Sequence, residues 1–146
     1  MMNTTAGVLL VDDNPADADL IGEVLSRSLS PVEVSSVRDG QQAIDFLRRR
    51  GAYASSSRPA LVVLDLSMPG KDGRFVLAEV KSDPELRKIP IVVFSTSQAG
   101  SDIGGSYDLG ANSYVTKPCS LPDFVSAVTS IGEFWLSCAI LPREDN

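Results

Sequence analysis

The chain has 146 residues and a mass of 15.6 kDa, the size of one domain that buries a substantial core without disulfides or a structural metal. Its 13 basic and 19 acidic residues give a formal charge of −6, the wrong sign for a protein that binds nucleic acid or anionic membranes by neutralising phosphates. Because histidine is absent, Ser-His and Cys-His catalysis are excluded, and the two cysteines cannot complete a Cys/His zinc site.

Membrane insertion and secretion are not indicated either. No apolar run approaches the about 20 residues that a membrane span needs, and the N-terminus has no basic region before its short hydrophobic stretch. These features predict a cytoplasmic protein whose partners are other proteins. Cys119 and Cys138 are then expected to be reduced, each as a small buried or half-buried hydrophobic residue.

Five strands are predicted along the chain. Three are continuous apolar runs at 8–11, 61–64 and 91–94, and two weaker candidates lie at 32–37 and 113–116. A continuous run is typical of a strand that helices cover on both faces, whereas a half-exposed antiparallel strand alternates.

Helical patterns separate the strands. Asn14 as N-cap and Pro15 in the first turn begin the first helix, and Ser120 with Pro122 begins the last. The second and third helices each show one apolar face. The fourth, at 98–109, contains three glycines that each cost about 1 kcal/mol in a helix interior, so we expect it to be locally weak.

The alternation of strand and helix predicts a five-stranded parallel sheet with helices on both faces. This is the doubly wound, flavodoxin-like α/β plan, formed by a single domain over residues 1–146 with a core at about 7–136 and an extension over 137–146. Its ligand site lies beyond the carboxyl ends of the strands, where the topological switch opens a crevice. The residues that directly follow the apolar runs are therefore the candidate site residues.

Four of the predicted strands end in acidic, hydroxyl or basic side chains. Asp12 and Asp13 end the first strand, Asp65 the third, Ser95 the fourth and Lys117 the fifth. At a separation of about 5 Å, each pair of carboxylates repels by about 3 kcal/mol at an effective dielectric of about 20, so a cation is implied. Carboxylate oxygens suit a hard ion, and Mg²⁺ is the abundant one that also bridges phosphate oxygens.

Asp65 is the candidate nucleophile among these carboxylates. It ends a wholly apolar strand, and the turn-forming segment 66–70 that follows leaves its side chain facing the crevice. Carboxylates form acyl phosphates when they attack phosphoryl groups. Ser95 can hydrogen-bond a phosphoryl oxygen, and Lys117 can offset charge that Mg²⁺ leaves uncompensated.

Four segments resemble the receiver domains of two-component response regulators. They read VDDN at 11–14, LDLSMPGKDG at 64–73, STS at 95–97 and GANSYVTKP at 110–118, and the resemblance covers almost the whole chain. It implies a phosphoryl-accepting signalling protein with its own autophosphorylation and autodephosphorylation chemistry, rather than an enzyme acting on a separate substrate.

The resemblance also assigns roles within the site. It implies that Asp65 is phosphorylated and that Asp13, Asp65 and the backbone carbonyl of Ser67 ligate Mg²⁺ directly, with Asp12 acting largely through water. Ser67 and Ser97 occupy positions that tune dephosphorylation in the family, because side chains there meet the attacking water.

A conformational switch is implied as well. Ser95 matches the family's hydroxyl switch residue and Tyr114 its switch aromatic. Capture of the phosphoryl group by Ser95 would pull the loop after the fourth strand inward and allow Tyr114 to rotate inward. The Lys117–Pro118 bond is usually cis in the family, a state accessible to X-Pro bonds.

Several features look like the small single-domain regulators paired with bacterial phytochromes. They are the run Asp-Asn-Pro-Ala-Asp at 13–17, the long loop before the third strand and the segment 131–136. A sensor histidine kinase is the expected partner, either a red-light-sensing phytochrome kinase or another hybrid or soluble kinase. Few residues follow the last predicted helix, so output is expected from the receiver's own surface, by binding a downstream protein or by passing the phosphoryl group onward.

The C-terminal segment carries more apolar surface than one packing face requires. Phe134, Trp135, Leu136 and Ile140 lie close together in it. A homodimer surface is one interpretation, and a helix folded wholly onto its own core is the other.

Three rival functions share parts of this pattern. A flavodoxin-like electron carrier would hold a flavin phosphate in its first loop, where Asp12 and Asp13 would repel it. A phosphatase of the haloacid dehalogenase class needs a second aspartate two residues after the nucleophile, where this chain has Ser67. A degenerate receiver that acts only as a protein-binding module remains the alternative, although the intact acidic set with Ser95 and Lys117 speaks against it.

Overall fold

The computed structural model describes residues 5–28 and 31–142, and the ends of the predicted domain, residues 1–4 and 143–146, lie outside the described residues. The strands are β1 (Ala6–Val11), β2 (Val32–Val37), β3 (Leu61–Leu64), β4 (Ile91–Ser95) and β5 (Ser113–Thr116). The α-helices are α1 (Pro15–Leu25), α2 (Gly40–Leu47), α3 (Gly73–Ser82), α4 (Gly100–Asp108) and α5 (Leu121–Gly132). A 3₁₀ turn lies at Gly51–Tyr53, and a π-helical segment at Glu133–Cys138 continues α5.

The five strands are all parallel and lie in the order β2-β1-β3-β4-β5. The strand order reverses between β1 and β3, so the predicted doubly wound, flavodoxin-like α/β fold is confirmed. The register pairs Val11 with Leu64 and Ser95 with Thr116. The residues that follow these four positions therefore meet at one edge of the sheet.

The central strands are buried on both faces. In β3, Val62 and Leu64 pack in the core that α2 and α3 share, whereas Leu61 and Val63 pack in the core that α1 and α5 share. Successive side chains of a strand point to opposite faces, so a sheet covered on both sides needs an apolar residue at each position. This explains why β1, β3 and β4 contain the continuous apolar runs.

Side-chain caps fix the starts of α1 and α5 at the carboxyl edge. Asn14 Oδ1 accepts the Asp17 N–H at 3.1 Å, and Pro15 occupies the first turn of α1. At the start of α5, Ser120 Oγ accepts the Asp123 N–H at 3.2 Å. The caps fix where α1 and α5 begin next to the ends of β1 and β5.

Helix α4 is shorter than the predicted 98–109 and has one buried side chain, that of Ser106. A methyl group added at Gly100, Gly104 or Gly105 would meet no atom within 4 Å. Little apolar packing therefore holds this helix on the sheet. Across the described part of the chain, the helices lack the length and apolar character needed to cross a membrane.

Two expectations about individual residues are wrong. Cys119 and Cys138 are free, as predicted, but both are exposed, because one lies in the turn before α5 and the other ends the π-helical segment. The Lys117–Pro118 bond is trans, as are the other peptide bonds of the described residues. The two isomers of an X-Pro bond differ by only about 0.5–1 kcal/mol, so a tight turn can be built with either.

Candidate functional site

Three carboxylates converge at the carboxyl edge of the sheet. Asp12 and Asp13 follow β1 and Asp65 follows β3, and one oxygen of each lies within 4.8 Å of the other two. Asp12 is 4% and Asp65 8% exposed, whereas Asp13 is open to solvent. Carboxylate oxygens at this spacing fit a hard divalent cation such as Mg²⁺. The structure thus brings the predicted acidic set together.

Lys117 reaches from the end of β5 into this acidic cluster and is 6% exposed. Its Nζ donates hydrogen bonds to Asp12 Oδ2 at 2.8 Å, Asp17 Oδ2 at 2.9 Å and Asp65 Oδ2 at 3.2 Å. An ammonium group has three N–H donors, so three carboxylates occupy all of them. The amine supplies positive charge to the cluster from within the protein.

The buried charges shift two pKa values. Burial raises the pKa of Asp12, and the hydrogen bonds from Lys117 and from the Asn14 N–H offset part of that rise. Burial alone would lower the pKa of Lys117, but its hydrogen bonds to Asp12 and Asp17 and the charge of Asp65 raise it above the ordinary value. Lys117 is therefore a cation throughout the neutral pH range.

Ser95 ends β4 beside the cluster and is fully buried. Its carbonyl accepts the Lys117 N–H at 2.7 Å, which ties the ends of β4 and β5 together. Its hydroxyl oxygen accepts the Ser97 N–H at 3.5 Å, a distance at which a hydrogen bond is weak. The Ser95 hydroxyl is thus free to turn toward a stronger acceptor.

Tyr114 on β5 is half-buried and packs against the core that α2 and α3 share. Its hydroxyl donates to the Ser97 carbonyl at 2.8 Å, and its N–H donates to the Tyr107 hydroxyl at 3.1 Å. The ring is thereby attached to the loop that follows Ser95. Its rotation on phosphorylation stays a prediction.

A polar network holds the side chain of Ser97. Ser97 Oγ donates to Asp102 Oδ2 at 2.5 Å and accepts the Ala99 N–H at 3.3 Å. Arg74 on α3 donates to the other oxygen of Asp102. One carboxylate therefore joins the β4–α4 loop, α3 and α4.

The loop after Asp65 lies close against the end of β3. The Ser67 N–H donates to Asp65 Oδ1 at 3.3 Å. A Cβ on Gly73 would stand 2.5 Å from the Asp65 carbonyl oxygen and 2.8 Å from Leu66 Cα, closer than a side chain allows. A glycine at position 73 therefore lets α3 begin against the strand end and keeps Ser67 beside the Asp65 carboxylate.

Of the four residues predicted to form a dimer surface, two are exposed and two pack in or against the core. Phe134 is 52% and Ile140 98% exposed. Leu136 is buried in the core that α1 and α5 share, and Trp135 packs against that core. The π-helical segment directs Leu136 inward, so the prediction that Leu136 lies on a dimer surface is wrong. Phe134 and Ile140 are exposed and can still contact a partner.

Comparison with known protein families matches residues 8–129 to the response regulator receiver domain. The chain belongs to this family. Among curated proteins, the response regulator Rcp1 of Synechocystis sp. is 46% identical over 135 residues, which cover 92% of each chain. The predicted resemblance to receiver domains is therefore confirmed.

The chain is also similar to solved structures of response regulators. The phosphorylated cyanobacterial phytochrome response regulator RcpA matches with a TM-score of 0.93 and 52% identity, covering 96% of this chain and 100% of RcpA. The Mn²⁺-bound form of Rcp1 matches with a TM-score of 0.91 and 45% identity, covering 94% and 99%. The predicted likeness to phytochrome-paired regulators is confirmed, and a relative with this fold holds a divalent ion.

Sequence reasoning missed two acidic residues of the receiver site. Asp17 contacts Lys117, and Asp102 contacts Ser97. Asp17 had a usable signal, since it lies in the first turn of a helix whose N-cap, Asn14, directly follows the acidic strand end. Asp102 had none, because its contact depends on how α4 packs beside the loop.

Proposed function

We propose that this receiver accepts a phosphoryl group on Asp65 and signals through the resulting change at its own surface. The observation that supports this most is the buried Lys117 amine, bonded to both Asp12 and Asp65 within the cluster of three carboxylates. In the reaction, an oxygen of Asp65 forms a bond to phosphorus as the bond from phosphorus to the donor breaks, and the electron pair of that bond leaves with the donor. The Lys117 ammonium group would stabilise the negative charge that develops on the phosphoryl oxygens during this step.

Mg²⁺ is the proposed cofactor of this reaction. Asp13, Asp65 and the Ser67 carbonyl would bind it directly, whereas Asp12, already engaged by Lys117 at 2.8 Å, would act through water. Asp13 is the exposed member of the cluster and the first that a hydrated ion meets. When bound, the ion would neutralise charge on the phosphoryl oxygens.

The proposed switch runs from Ser95 to Tyr114. The loosely held Ser95 hydroxyl would turn to a phosphoryl oxygen, and the β4–α4 loop would follow. Because the Tyr114 hydroxyl is bonded to the Ser97 carbonyl, the loop and the ring would move together. Ser67 and Ser97 border the attacking water in this scheme and would set the lifetime of the phosphorylated state.

The proposed phosphoryl donor is a sensor histidine kinase. The likeness to RcpA and Rcp1 favours a phytochrome kinase, since RcpA is a phytochrome response regulator. Such a kinase draws on ATP, so the cytoplasm is the proposed place of the exchange. A downstream protein or a phosphotransfer partner would then bind the surface of α4, β5 and α5, which carries Tyr114.

Acetyl phosphate with Mg²⁺ tests phosphoryl acceptance without a kinase. We expect intact-mass spectrometry to show one added phosphoryl group, and none when a chelator removes the metal. The alternative, a degenerate receiver that only binds other proteins, predicts no adduct under either condition. An adduct that forms equally well with the chelator present would contradict the role given to the metal.

We further propose that Phe134 and Ile140 form part of a homodimer surface. Both are exposed apolar side chains near the end of α5, and the Phe134 ring packs edge-on against Trp135 with centroids 5.0 Å apart. Burying one such side chain contributes about 2 kcal/mol, so contact between these residues on two copies of the chain would stabilise a dimer.

Light scattering after size exclusion, over a range of concentrations, tests the dimer. We expect the wild type to approach twice its monomer mass as concentration rises. Replacing both residues, Phe134→Ser with Ile140→Ser, should weaken association at least about tenfold. Leu121→Ser is the matched control, because Leu121 is 64% exposed at the opposite end of α5. A wild type that stays monomeric at every concentration would refute the dimer.

A further inference from the structure

Lys117 has a third acidic partner outside the metal-binding carboxylates. Its Nζ donates to Asp17 Oδ2 at 2.9 Å, compared with 2.8 Å to Asp12 and 3.2 Å to Asp65. The Lys117 side chain is 4% and the Asp17 side chain 28% exposed. The contact is thus largely shielded from the solvent that weakens surface ion pairs.

In the proposed reaction, Asp12 and Asp65 gain new binding partners, whereas Asp17 keeps only Lys117. Asp12 and Asp65 belong to the group of described carboxylates spaced to hold a metal ion, and Asp17 lies outside that group. Asp65 also loses a carboxylate oxygen to the new bond with phosphorus. Asp17 is therefore the one partner of Lys117 that neither the metal nor the phosphoryl group claims.

The position of Asp17 is fixed by local structure. It stands in the first turn of α1, where its N–H donates to the Asn14 side chain at 3.1 Å. Asp17 and Lys117 both line a cleft, together with Leu20, Pro118 and Phe124. Without Asp17, the Lys117 side chain could turn toward this cleft once the water shell of the metal competes for Asp12.

We propose that Asp17 is a positioning residue for phosphorylation, one that keeps Lys117 Nζ directed at the phosphoryl group while Asp12 also binds the water shell of the metal and Asp65 takes part in the reaction. The proposal rests on the proposed function of Asp65. Asp17 touches neither the phosphoryl group nor the ion, and it acts through the amine alone. Its loss should therefore slow phosphoryl uptake without removing the acceptor.

The kinetic test compares two variants of equal charge. Asp17→Asn should lower the rate of acetyl phosphate uptake at saturating Mg²⁺ at least about tenfold, which corresponds to a loss of about 1.4 kcal/mol of transition-state stabilisation. Asp19→Asn removes the same charge from an exposed position on the same helix and should stay within about twofold of the wild type. Asp17→Glu restores the carboxylate and should recover part of the rate. Equal rates for Asp17→Asn and Asp19→Asn would overturn the proposal.

Nuclear magnetic resonance of the lysine ammonium groups gives a readout that does not depend on phosphorylation. With all three N–H donors held, the Lys117 signal should be slow to exchange with water in the wild type and in Asp19→Asn. It should exchange faster in Asp17→Asn, where a neutral amide oxygen accepts a weaker bond than the carboxylate. A Lys117→Arg variant assigns the signal. If the wild type takes up no phosphoryl group, the proposed function fails, but this spectrum still decides whether Asp17 holds the amine. An unchanged signal in Asp17→Asn would overturn the proposal.

Discussion

Asp65→Asn is expected to take up no phosphoryl group from acetyl phosphate and Mg²⁺, although the protein stays folded. An amide lacks the charged oxygen that attacks phosphorus, so the acceptor itself is lost. The fold should persist because asparagine keeps an oxygen that can accept the bond from Lys117, now 3.2 Å from Asp65 Oδ2. Removing one carboxylate from a cluster within 4.8 Å also relieves repulsion in the absence of metal.

Two measurements check this result. Intact mass reports the adduct, and thermal unfolding reports the fold. Asp19→Asn, which removes an exposed carboxylate of α1, should be phosphorylated like the wild type. A phosphoryl adduct of wild-type size on folded Asp65→Asn would show that another residue is the acceptor.

Lys117→Met has the second large expected effect, and it acts on stability as well as on the reaction. Without Mg²⁺, the variant leaves the buried Asp12 and Asp65 carboxylates without their cation. Removing one partner of a buried ion pair costs about 3 kcal/mol, so the free energy of unfolding should fall by about that amount. Because the amine repels the ion and competes with it for the Asp65 carboxylate, its loss should tighten Mg²⁺ binding at least about tenfold, and saturating Mg²⁺ should restore much of the stability.

Denaturant unfolding with and without Mg²⁺ measures the stability change, and calorimetric titration measures the affinity. Lys71→Met is the matched control, because Lys71 is exposed and its Nζ bonds to the Gln41 side chain rather than to a carboxylate. Its stability should change by less than about 1 kcal/mol. If Lys117→Met were as stable as the wild type without metal and bound Mg²⁺ no better, the amine would not be the internal counter-ion of the cluster.

The strands and their ends could be predicted because burial on both faces of a parallel sheet leaves a strong pattern. The run at 61–64 is apolar at each position and is observed as β3 with the same bounds. Once these strands lie parallel, their carboxyl ends share one edge. Asp65 and Lys117, 52 residues apart, could therefore be placed together from the sequence alone.

Contacts that depend on helix placement could not be predicted in this way. Asp17 and Lys117 are 100 residues apart, and they meet because the long Lys117 side chain reaches from the end of β5 to the first turn of α1. Asp102 and Arg74 meet because α4 packs next to α3, which no local pattern specifies. At the C-terminus, the apolar composition of residues 134–140 predicted an apolar surface. The π-helical turn places Leu136 in the core and leaves Phe134 exposed, which the composition could not predict.

The most direct test of the account is to locate the phosphoryl group on the chain. An aspartyl phosphate is an acyl phosphate, so borohydride reduces it to an alcohol and converts that aspartate to homoserine. After reaction with acetyl phosphate and Mg²⁺, peptide mass spectrometry should find homoserine at position 65 and unmodified aspartate at positions 12, 13 and 17. Homoserine at another position, or none in a protein that carries the phosphoryl adduct, would contradict the assignment of Asp65 as the acceptor.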